Sequence, residues 1–372
     1  RYQSKIKKNN TNPTFRGPNP VVAKNQLRIL YSQDIWAPKL KIKMPQTERE
    51  NLNLRRDEPV QRLDPQQLFA DMTETIRGQD EAVRCIVRYA CASAAKRNPQ
   101  RPPSIVLVGG TGQGKTLAGK TLAQAMNCQI TDPNRQYGTI VVHCNELTEN
   151  HDVSRLIGGS PNYVGYGDEN VLSPLIANPY QVIVFDEIEK AAPRVLDVLM
   201  GALDSGEIMM SKPIDGKNML DFRHSILLFT SNLRMNNATS HKKIGFESDS
   251  TDVVPEDMSV RYREIMVSQG MRREIVARFS DIVYFRPLLA ETVIDIILLE
   301  IQKCAEEYGF DINYVEPGIL QSLYDAVQLS GFGARMIRRI VSNRFDLLFA
   351  TQTIGSYDLT GSIEEPVLTP SI

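Results

Sequence analysis

A glycine-rich segment that ends in Lys-Thr carries the clearest chemistry in the sequence. It reads Gly109-Gly110-Thr111-Gly112-Gln113-Gly114-Lys115-Thr116. Glycines let backbone N–H groups curl around phosphate oxygens without side-chain clashes. Lys115 supplies a cation for the β- and γ-phosphates, and Thr116 supplies a hydroxyl for Mg²⁺. An apolar run at 104–108 precedes the segment and a predicted helix at 117–126 follows it. A glycine-rich turn that matches the motif by accident is the alternative, and the strand before it and the helix after it argue against that alternative. The sequence therefore predicts a P-loop that binds a nucleotide with Mg²⁺.

Two acidic residues and an amide end later apolar runs. Asp186 and Glu187 close the run 181–187, and Asn232 closes the run 225–232. Downstream of a P-loop, an apolar strand that ends in Asp-Glu is the Walker B pattern. Asp186 would hold Mg²⁺, and Glu187 would orient and polarise the attacking water. Asn232 would hold the same water or sense the γ-phosphate. Without the P-loop, Asp-Glu would indicate an ordinary helix start and Thr-Ser-Asn a turn.

Hydrolysis also needs positive charge against the transferring phosphoryl group. Arg272, Arg273, Arg278 and Arg335 are candidates. A solvated surface position is the ordinary alternative for any arginine, and the residues alone do not select one of the four.

Apolar strands that alternate with helices predict the fold class. Besides the P-loop strand, the runs 137–144, 181–187, 225–232 and 282–285 are typical of buried strands. This alternation indicates an α/β fold, a parallel sheet with helices on both faces. After 288 we expect the strands to stop, and helices at 291–308, 317–328 and 334–349 predict a small α-helical lid domain.

The same patterns divide the chain into four regions. We expect an irregular basic extension at 1–62, a large α/β ATPase domain at 63–286, the small helical lid domain at 287–352, and a polar C-terminal tail with one strand at 353–372.

Composition excludes several classes of protein. The 372 residues have a formal net charge of -1, which gives no overall signal for binding polyanions. The stretch 1–33 contains basic but no acidic residues, and it is either a solvated arm or a contact for nucleic acid or an acidic partner. The 5 cysteines lack metal-ligand spacing and indicate a reducing, cytoplasmic compartment. No run approaches the roughly 20 apolar residues of a membrane span.

The motifs together resemble an AAA+ ATPase of the Clp unfoldase family, most closely the second ATPase ring of ClpA- and ClpC-like proteins. The resemblance covers roughly 63–350 and rests on several stretches in the family order. They are the adenine-side box 78–83, the pore segment 156–166, the Walker B run 185–191, Leu203-Asp204-Ser205-Gly206-Glu207-Ile208, Asp221-Phe222-Arg223, Thr230-Ser231-Asn232 and Gly333-Ala334-Arg335.

The resemblance implies roles for particular residues. Ile76 and Arg77 would flank the adenine through backbone contacts. Arg278 matches the arginine finger that reaches the ATP of an adjacent subunit in a hexameric ring, and Arg335 matches the sensor arginine of the lid. The implied pore residues, which would grip protein substrates, are Tyr163, Val164 and Tyr166.

One segment departs from the family pattern, and another adds a further similarity to it. The finger box reads Met271-Arg272-Arg273-Glu274-Ile275-Val276-Ala277-Arg278 and lacks the Pro and Asn usual in the family. Ile244, Gly245 and Phe246 resemble the tripeptide with which some Clp unfoldases dock onto a Clp-type protease barrel. A loop anchor on the chain's own domain is the alternative.

The resemblance therefore implies an ATP-hydrolysing homo-oligomeric ring that unfolds, threads or disassembles protein substrates. One alternative is a dedicated assembly or secretion-system ATPase that remodels a single complex without a protease. Another is a nucleic-acid motor that uses the basic arm, and the pore tyrosine argues against it.

Overall fold

The computed structural model describes residues 62–159, 170–233, 255–330 and 333–371. The basic extension up to residue 61 lies outside these ranges. So do the predicted pore residues Tyr163, Val164 and Tyr166, and the predicted docking residues Ile244, Gly245 and Phe246.

The described residues form helices and strands in an alternating order. The helices are α1 Pro65–Thr75, α2 Asp80–Ala94, α3 Lys115–Gln129, α4 Ser154–Ile157, α5 Pro174–Ala177, α6 Pro193–Asp204, α7 Pro255–Ser268, α8 Arg273–Val276, α9 Ala290–Glu307, α10 Pro317–Ser330 and α11 Ile337–Ala350. The strands are β1 Ser104–Gly109, β2 Gly138–His143, β3 Gln181–Asp186, β4 Glu207–Ile214, β5 Lys217–Asp221, β6 Ile226–Ser231, β7 Asp281–Phe285, β8 Asp311–Val315, β9 Ser356–Gly361 and β10 Pro366–Pro370. Short 3₁₀ turns include Ile188–Lys190 and Gly333–Met336.

A five-stranded sheet is the centre of the molecule. Its order is β2-β3-β6-β1-β7, and every pairing in it is parallel. All the strands that the sequence predicts for this sheet belong to it, so the predicted α/β class is confirmed. Because the strands are parallel, their carboxyl ends lie at one edge. The P-loop after β1, the Walker B residues after β3 and Asn232 after β6 therefore share that edge.

The alternation of side chains along each strand builds two separate cores. In β1, Val106 and Val108 pack into one core, whereas Ile105 and Leu107 pack into the other. The three central strands β1, β3 and β6 are almost wholly buried, which explains their continuous apolar sequences. Packing on both faces fixes the positions of these strands, and therefore of the residues at their carboxyl ends.

A third core stabilises the C-terminal region. It contains buried residues from α9, α10 and α11 and also Tyr357, Leu359 and Leu368 from β9 and β10. The expectation that strands stop after 288 is wrong, because β8, β9 and β10 form a sheet of order β10-β9-β8. The stretch predicted as a tail with one strand holds two, and both contribute to this core.

A two-stranded hairpin, β4–β5, was also absent from the predicted strands. Asp215 and Gly216 connect its strands, and both have positive φ, 50° and 75°. An Asp-Gly pair with two positive φ angles is the signature of a tight hairpin turn. The Asp-Gly pair was present in the sequence, but it lies in a polar stretch without the apolar runs by which the other strands were predicted.

None of the helices in the described ranges is long and apolar enough to cross a membrane.

Gly119 on α3 gives a test of how closely this helix lies on the sheet. A Cβ at Gly119 would lie 2.2 Å from Cγ2 of the buried Val184 in β3. We expect Gly119→Ala to lower the free energy of unfolding by about 1–3 kcal/mol, since neither the helix nor the sheet can give way easily. Urea unfolding of the full chain measures the change.

The matched control is Gly318→Ala in α10, where an added Cβ meets no heavy atom within 4 Å. We expect its unfolding free energy to stay within about 1 kcal/mol of the parent. Equal losses in the two variants would contradict the close contact between α3 and β3.

Candidate functional site: a nucleotide cavity at the carboxyl edge of the sheet

The P-loop turns sharply between β1 and α3, and the Lys115 side chain contacts the backbone of the loop. Gly112 and Gly114 have φ values of 79° and 93°, a region that side chains rarely adopt. The Lys115 side chain is only 7% exposed. Its Nζ donates to the carbonyl oxygens of Gly109 and Gly110 at 2.9 and 2.7 Å and to Oδ1 of Asn232 at 2.9 Å. The loop therefore holds a buried cation at the start of a helix.

Burial lowers the pKa of the Lys115 ammonium group to about 8, and nearby Arg335 adds to the lowering. Glu189, Asp186 and Glu187 act in the opposite direction, since their negative charges favour the protonated form. An anion bound beside the amine would favour the charged form further.

The Walker B carboxylate is fixed by two hydroxyl groups. Oδ1 of Asp186 accepts hydrogen bonds from Thr116 Oγ1 at 2.7 Å and from Thr230 Oγ1 at 2.6 Å. Thr230 Oγ1 in turn accepts from the backbone N–H of Glu187 at 2.9 Å. Glu187 has φ 59° and ψ 53°, a left-handed conformation that costs energy for a residue other than glycine. The buried threonine thus supports the strained turn after β3.

Both carboxylate oxygens of Glu187 have partners. Oε1 accepts from Nδ2 of Asn232 at 2.8 Å, and Oε2 accepts from Nζ of Lys190 at 2.6 Å. The backbone N–H of Asn232 donates to Oε1 of Glu189 at 3.0 Å. Asn232 therefore links Lys115 to Glu187, so the P-loop cation and the Walker B carboxylate belong to one hydrogen-bonded network.

A cavity of about 410 Å³ opens beside this network. Residues from the P-loop, Asp186, Glu187 and Asn232 line one side. Ile76 and Arg77 line it as well, and Ala334 and Arg335 contribute from the C-terminal region together with Leu288, Ile296, Leu299 and Arg338. The side chain of Gln79 exchanges two hydrogen bonds of 2.9 Å with the backbone of Arg286, which ties the turn before α2 to the end of β7.

Arg278 does not line this cavity. Its Nε contacts both carboxylate oxygens of Asp204, at 2.7 and 2.8 Å. Among the predicted site residues inside the described ranges, Arg278 is thus the one placed away from the others.

Three groups of this network were not predicted from the sequence. Thr230 was quoted only as part of a motif, and Lys190 and Glu189 only as part of the Walker B run. Thr230 lies inside an apolar strand, where a hydroxyl that is 1% exposed requires a partner. That requirement is the signal that could have identified it.

The residues present fit a nucleotide with Mg²⁺. The glycines at positive φ leave backbone N–H groups accessible at the start of α3, and a Cβ added at Gly114 would meet no heavy atom within 4 Å. No group of three or more His, Cys, Asp or Glu side chains forms a metal site in the described part of the chain. Mg²⁺ needs no such group, because it binds one or two carboxylates together with phosphate oxygens and water. Asp186 and the Thr116 hydroxyl suit it.

Thr230→Val tests the support of the Walker B turn. The change keeps the shape of the side chain but leaves the Glu187 N–H without its acceptor and removes one donor to Asp186. We expect the free energy of unfolding to fall by about 1–3 kcal/mol, because buried polar groups lose partners. Urea unfolding measures the loss. Thr230→Ser retains the hydroxyl and should lose less than half as much, and an equal loss would argue against the hydrogen bonds as the cause.

The lowered pKa of Lys115 predicts that a phosphate ligand draws a proton onto the protein. At pH 8 to 9 much of the amine is neutral in the unliganded chain, and an adjacent anion raises its pKa. We expect ADP binding to take up a fraction of a proton that grows from pH 7 to pH 9. Titration calorimetry in buffers of different ionisation enthalpy measures the uptake. Lys115→Arg should remove this pH dependence, since arginine stays charged; the same uptake in that variant would assign the proton elsewhere.

Known proteins resemble the chain in both sequence and fold. Residues 100–282 match the family model described as AAA domain (Cdc48 subfamily). The chaperone protein ClpB of Clostridium perfringens (strain 13 / Type A) is 30% identical over 371 residues, which are 97% of this chain and 38% of the relative. ClpB of Bacillus anthracis is 32% identical over 296 residues, which are 76% of this chain and 31% of the relative.

A solved structure agrees with these relatives. It is a closed-state cryo-EM reconstruction of Hsp104 with ATPγS and FITC-casein. The likeness has a TM-score of 0.59 and 25% identity, and it covers 88% of this chain and 53% of that one. The chain spans 38% and 31% of the length of the two ClpB relatives. On the shared AAA domain and the P-loop site, the chain belongs to the Clp/Hsp100 family of AAA+ ATPases.

Proposed function

We propose that the chain binds ATP with Mg²⁺ in the cavity at the carboxyl edge of the sheet and hydrolyses it. The observation that carries the proposal is the single network of Lys115, Asn232, Glu187 and Asp186, which places a cation, an amide and two carboxylates beside a glycine loop. Phosphoryl transfer needs these groups in fixed positions more than it needs covalent chemistry.

Different residues of the chain would bind the phosphates, the Mg²⁺ and the adenine. Gly109, Gly110, Thr111, Gly112, Gln113 and Gly114 form the loop around the phosphates, and Lys115 supplies positive charge. Thr116 and Asp186 would hold Mg²⁺, which when bound neutralises charge on the phosphates. Ile76 and Arg77 lie on the cavity wall and suit the adenine side.

Glu187 is the group that orients and polarises the attacking water. Asn232 and Lys190 fix its two oxygens before any substrate arrives, at 2.8 and 2.6 Å. A base with a fixed position lowers the entropy cost of the reaction. Arg335 adds positive charge from the C-terminal side of the cavity.

We further propose that Arg278 acts on the nucleotide of a neighbouring copy of the chain. It lies outside its own cavity, and an arginine supplied by a second subunit is worth about 10³–10⁵ in rate for related phosphoryl transfers. A homo-oligomeric, hexameric ring would complete each site in this way. We place the large domain at 63–286 and the lid from 287 onward, including β9 and β10.

The work done by this ring is proposed to be the remodelling of protein substrates. The similar ClpB proteins are named chaperones, and the similar Hsp104 structure contains casein. Tyr163, Val164 and Tyr166 would line the pore. Docking to a protease barrel through Ile244, Gly245 and Phe246 stays a prediction from the sequence. No observation among the described residues favours the dedicated secretion-system ATPase or the nucleic-acid motor.

The proposal predicts that unfolded protein, and not nucleic acid, stimulates ATP hydrolysis by the full chain. Phosphate release is measured with casein, with single-stranded DNA and with neither, and Glu187→Gln controls for contaminating ATPases. We expect casein to raise the rate and DNA to leave it unchanged, because an aromatic pore binds extended polypeptide by apolar contact. Stimulation by DNA alone would overturn the assignment.

Tyr163→Ala locates the stimulation in the pore segment. We expect this variant to lose the response to casein. Tyr314→Ala is the matched control, since Tyr314 is an exposed tyrosine on β8 that is not part of the predicted pore segment, and it should keep the response. Loss of the response in both variants, or in neither, would contradict the pore assignment.

A further inference from the structure

Arg278 is held in place by the end of helix α6. Its Nε lies 2.7 and 2.8 Å from the two carboxylate oxygens of Asp204, the last residue of that helix. Its Nη1 donates to the carbonyl oxygen of Glu274 at 2.6 Å. Two different nitrogens of one planar group are therefore fixed in two directions, which sets the plane of the guanidinium.

The third nitrogen of Arg278 is left for another ligand. Within the described ranges, Nη2 of Arg278 has no acceptor, whereas Nε and Nη1 both do. The side chains of Arg278 and Asp204 are 32% and 52% exposed in the single chain. An ion pair this exposed contributes little to stability. Its geometric effect, a guanidinium held through Nε and Nη1, is the larger consequence.

Helix α6 also ties the arginine segment to the chain's own nucleotide site. The helix begins shortly after the 3₁₀ turn that carries Lys190, the partner of Glu187. Asp197, two helical turns before Asp204 on the same face, pairs with Arg272 at 2.6 Å. One helix thus connects the Walker B turn at its start with the arginine at its end.

We propose that Asp204 is a positioning residue that presents Arg278 to the nucleotide bound by a neighbouring copy of the chain. This inference rests on the proposed function, in which Arg278 acts between copies. Asp204 and Glu274 hold Nε and Nη1, and Nη2 is the nitrogen that would donate to the neighbour's nucleotide. The carboxylate does not touch the nucleotide; it acts through the arginine.

A subunit-mixing experiment tests the role of Asp204 apart from the role of Arg278. A Glu187→Gln chain retains Arg278 but cannot activate water, and an Arg278→Ala chain retains its own cavity but lacks the arginine. Mixed rings of the two full chains contain interfaces where both groups are present. ATP hydrolysis above that of either chain alone establishes the action between copies. The donor is then replaced by a Glu187→Gln chain that also carries Asp204→Asn.

We expect the Asp204→Asn donor to lower kcat of the mixture on the order of ten- to a hundredfold, because a small displacement of a positioned group has effects of this size. KM for ATP should not change, since the cavity that hydrolyses the nucleotide belongs to the Arg278→Ala chain, which keeps Asp204. Asp197→Asn in the same donor is the control, with the same helix, the same loss of charge and a different arginine. We expect it to stay within about threefold of the parent mixture.

Each other result has a definite meaning. An unchanged or raised kcat with the Asp204→Asn donor overturns the proposal, and so does an equal fall with the Asp197→Asn donor, which would indicate general loosening of the segment. A rise in KM at constant kcat overturns it as well. If the parent mixture shows no gain over the separate chains, the proposed action of Arg278 between copies is wrong, and the proposed role of Asp204 is wrong with it. Sedimentation and melting temperatures of the donors check that rings form and that the chains fold.

Discussion

A buried ammonium group is the constraint on which the site depends. Lys115 is almost fully removed from water, and a charge in that position is costly unless hydrogen-bond acceptors and opposite charges surround it. The end of β1 supplies two carbonyl oxygens and the end of β6 supplies an amide oxygen. The end of β3 supplies the carboxylates that favour the charged form. The neighbouring positions of β3, β6 and β1 in the sheet are therefore what make a P-loop lysine tolerable here.

The parts of the fold that could be predicted are those that a local sequence pattern determines. A strand buried on both faces is a continuous apolar run, and a phosphate loop needs glycines next to Gly-Lys-Thr, so β1, β3, β6 and the P-loop could be read directly. Thr230 was not predictable in this way. Its importance comes from meeting Asp186 and Glu187 across two strands, and one hydroxyl within an apolar strand forms no pattern.

The missed strands have a different cause. β8 is short, mostly exposed and polar at alternate positions, and its partner β9 comes only after two further helices. Local sequence does not show a partner at that distance, so Asp311–Val315 was not predicted to be a strand. In 353–372 one strand was predicted where β9 and β10 are two, because their composition is polar, although Leu359 and Leu368 are buried. These strands form because of pairing between segments far apart in the sequence, and not because of their local β propensity.

The junction between β7 and α9 joins the two sides of the nucleotide cavity. The chain passes from one half to the other at Arg286–Leu289, beside the turn at Gly78, where a Cβ would lie 2.7 Å from Thr292 Cγ2. The junction is thus packed backbone against side chain, with no flexible group between. Helix α9 has 18 residues and is roughly 27 Å long. A rotation of about 5° at the junction would carry its far end through about 2 Å by the geometry of a rigid helix. A rotation at this junction would therefore displace most the parts of the C-terminal region that lie farthest from it.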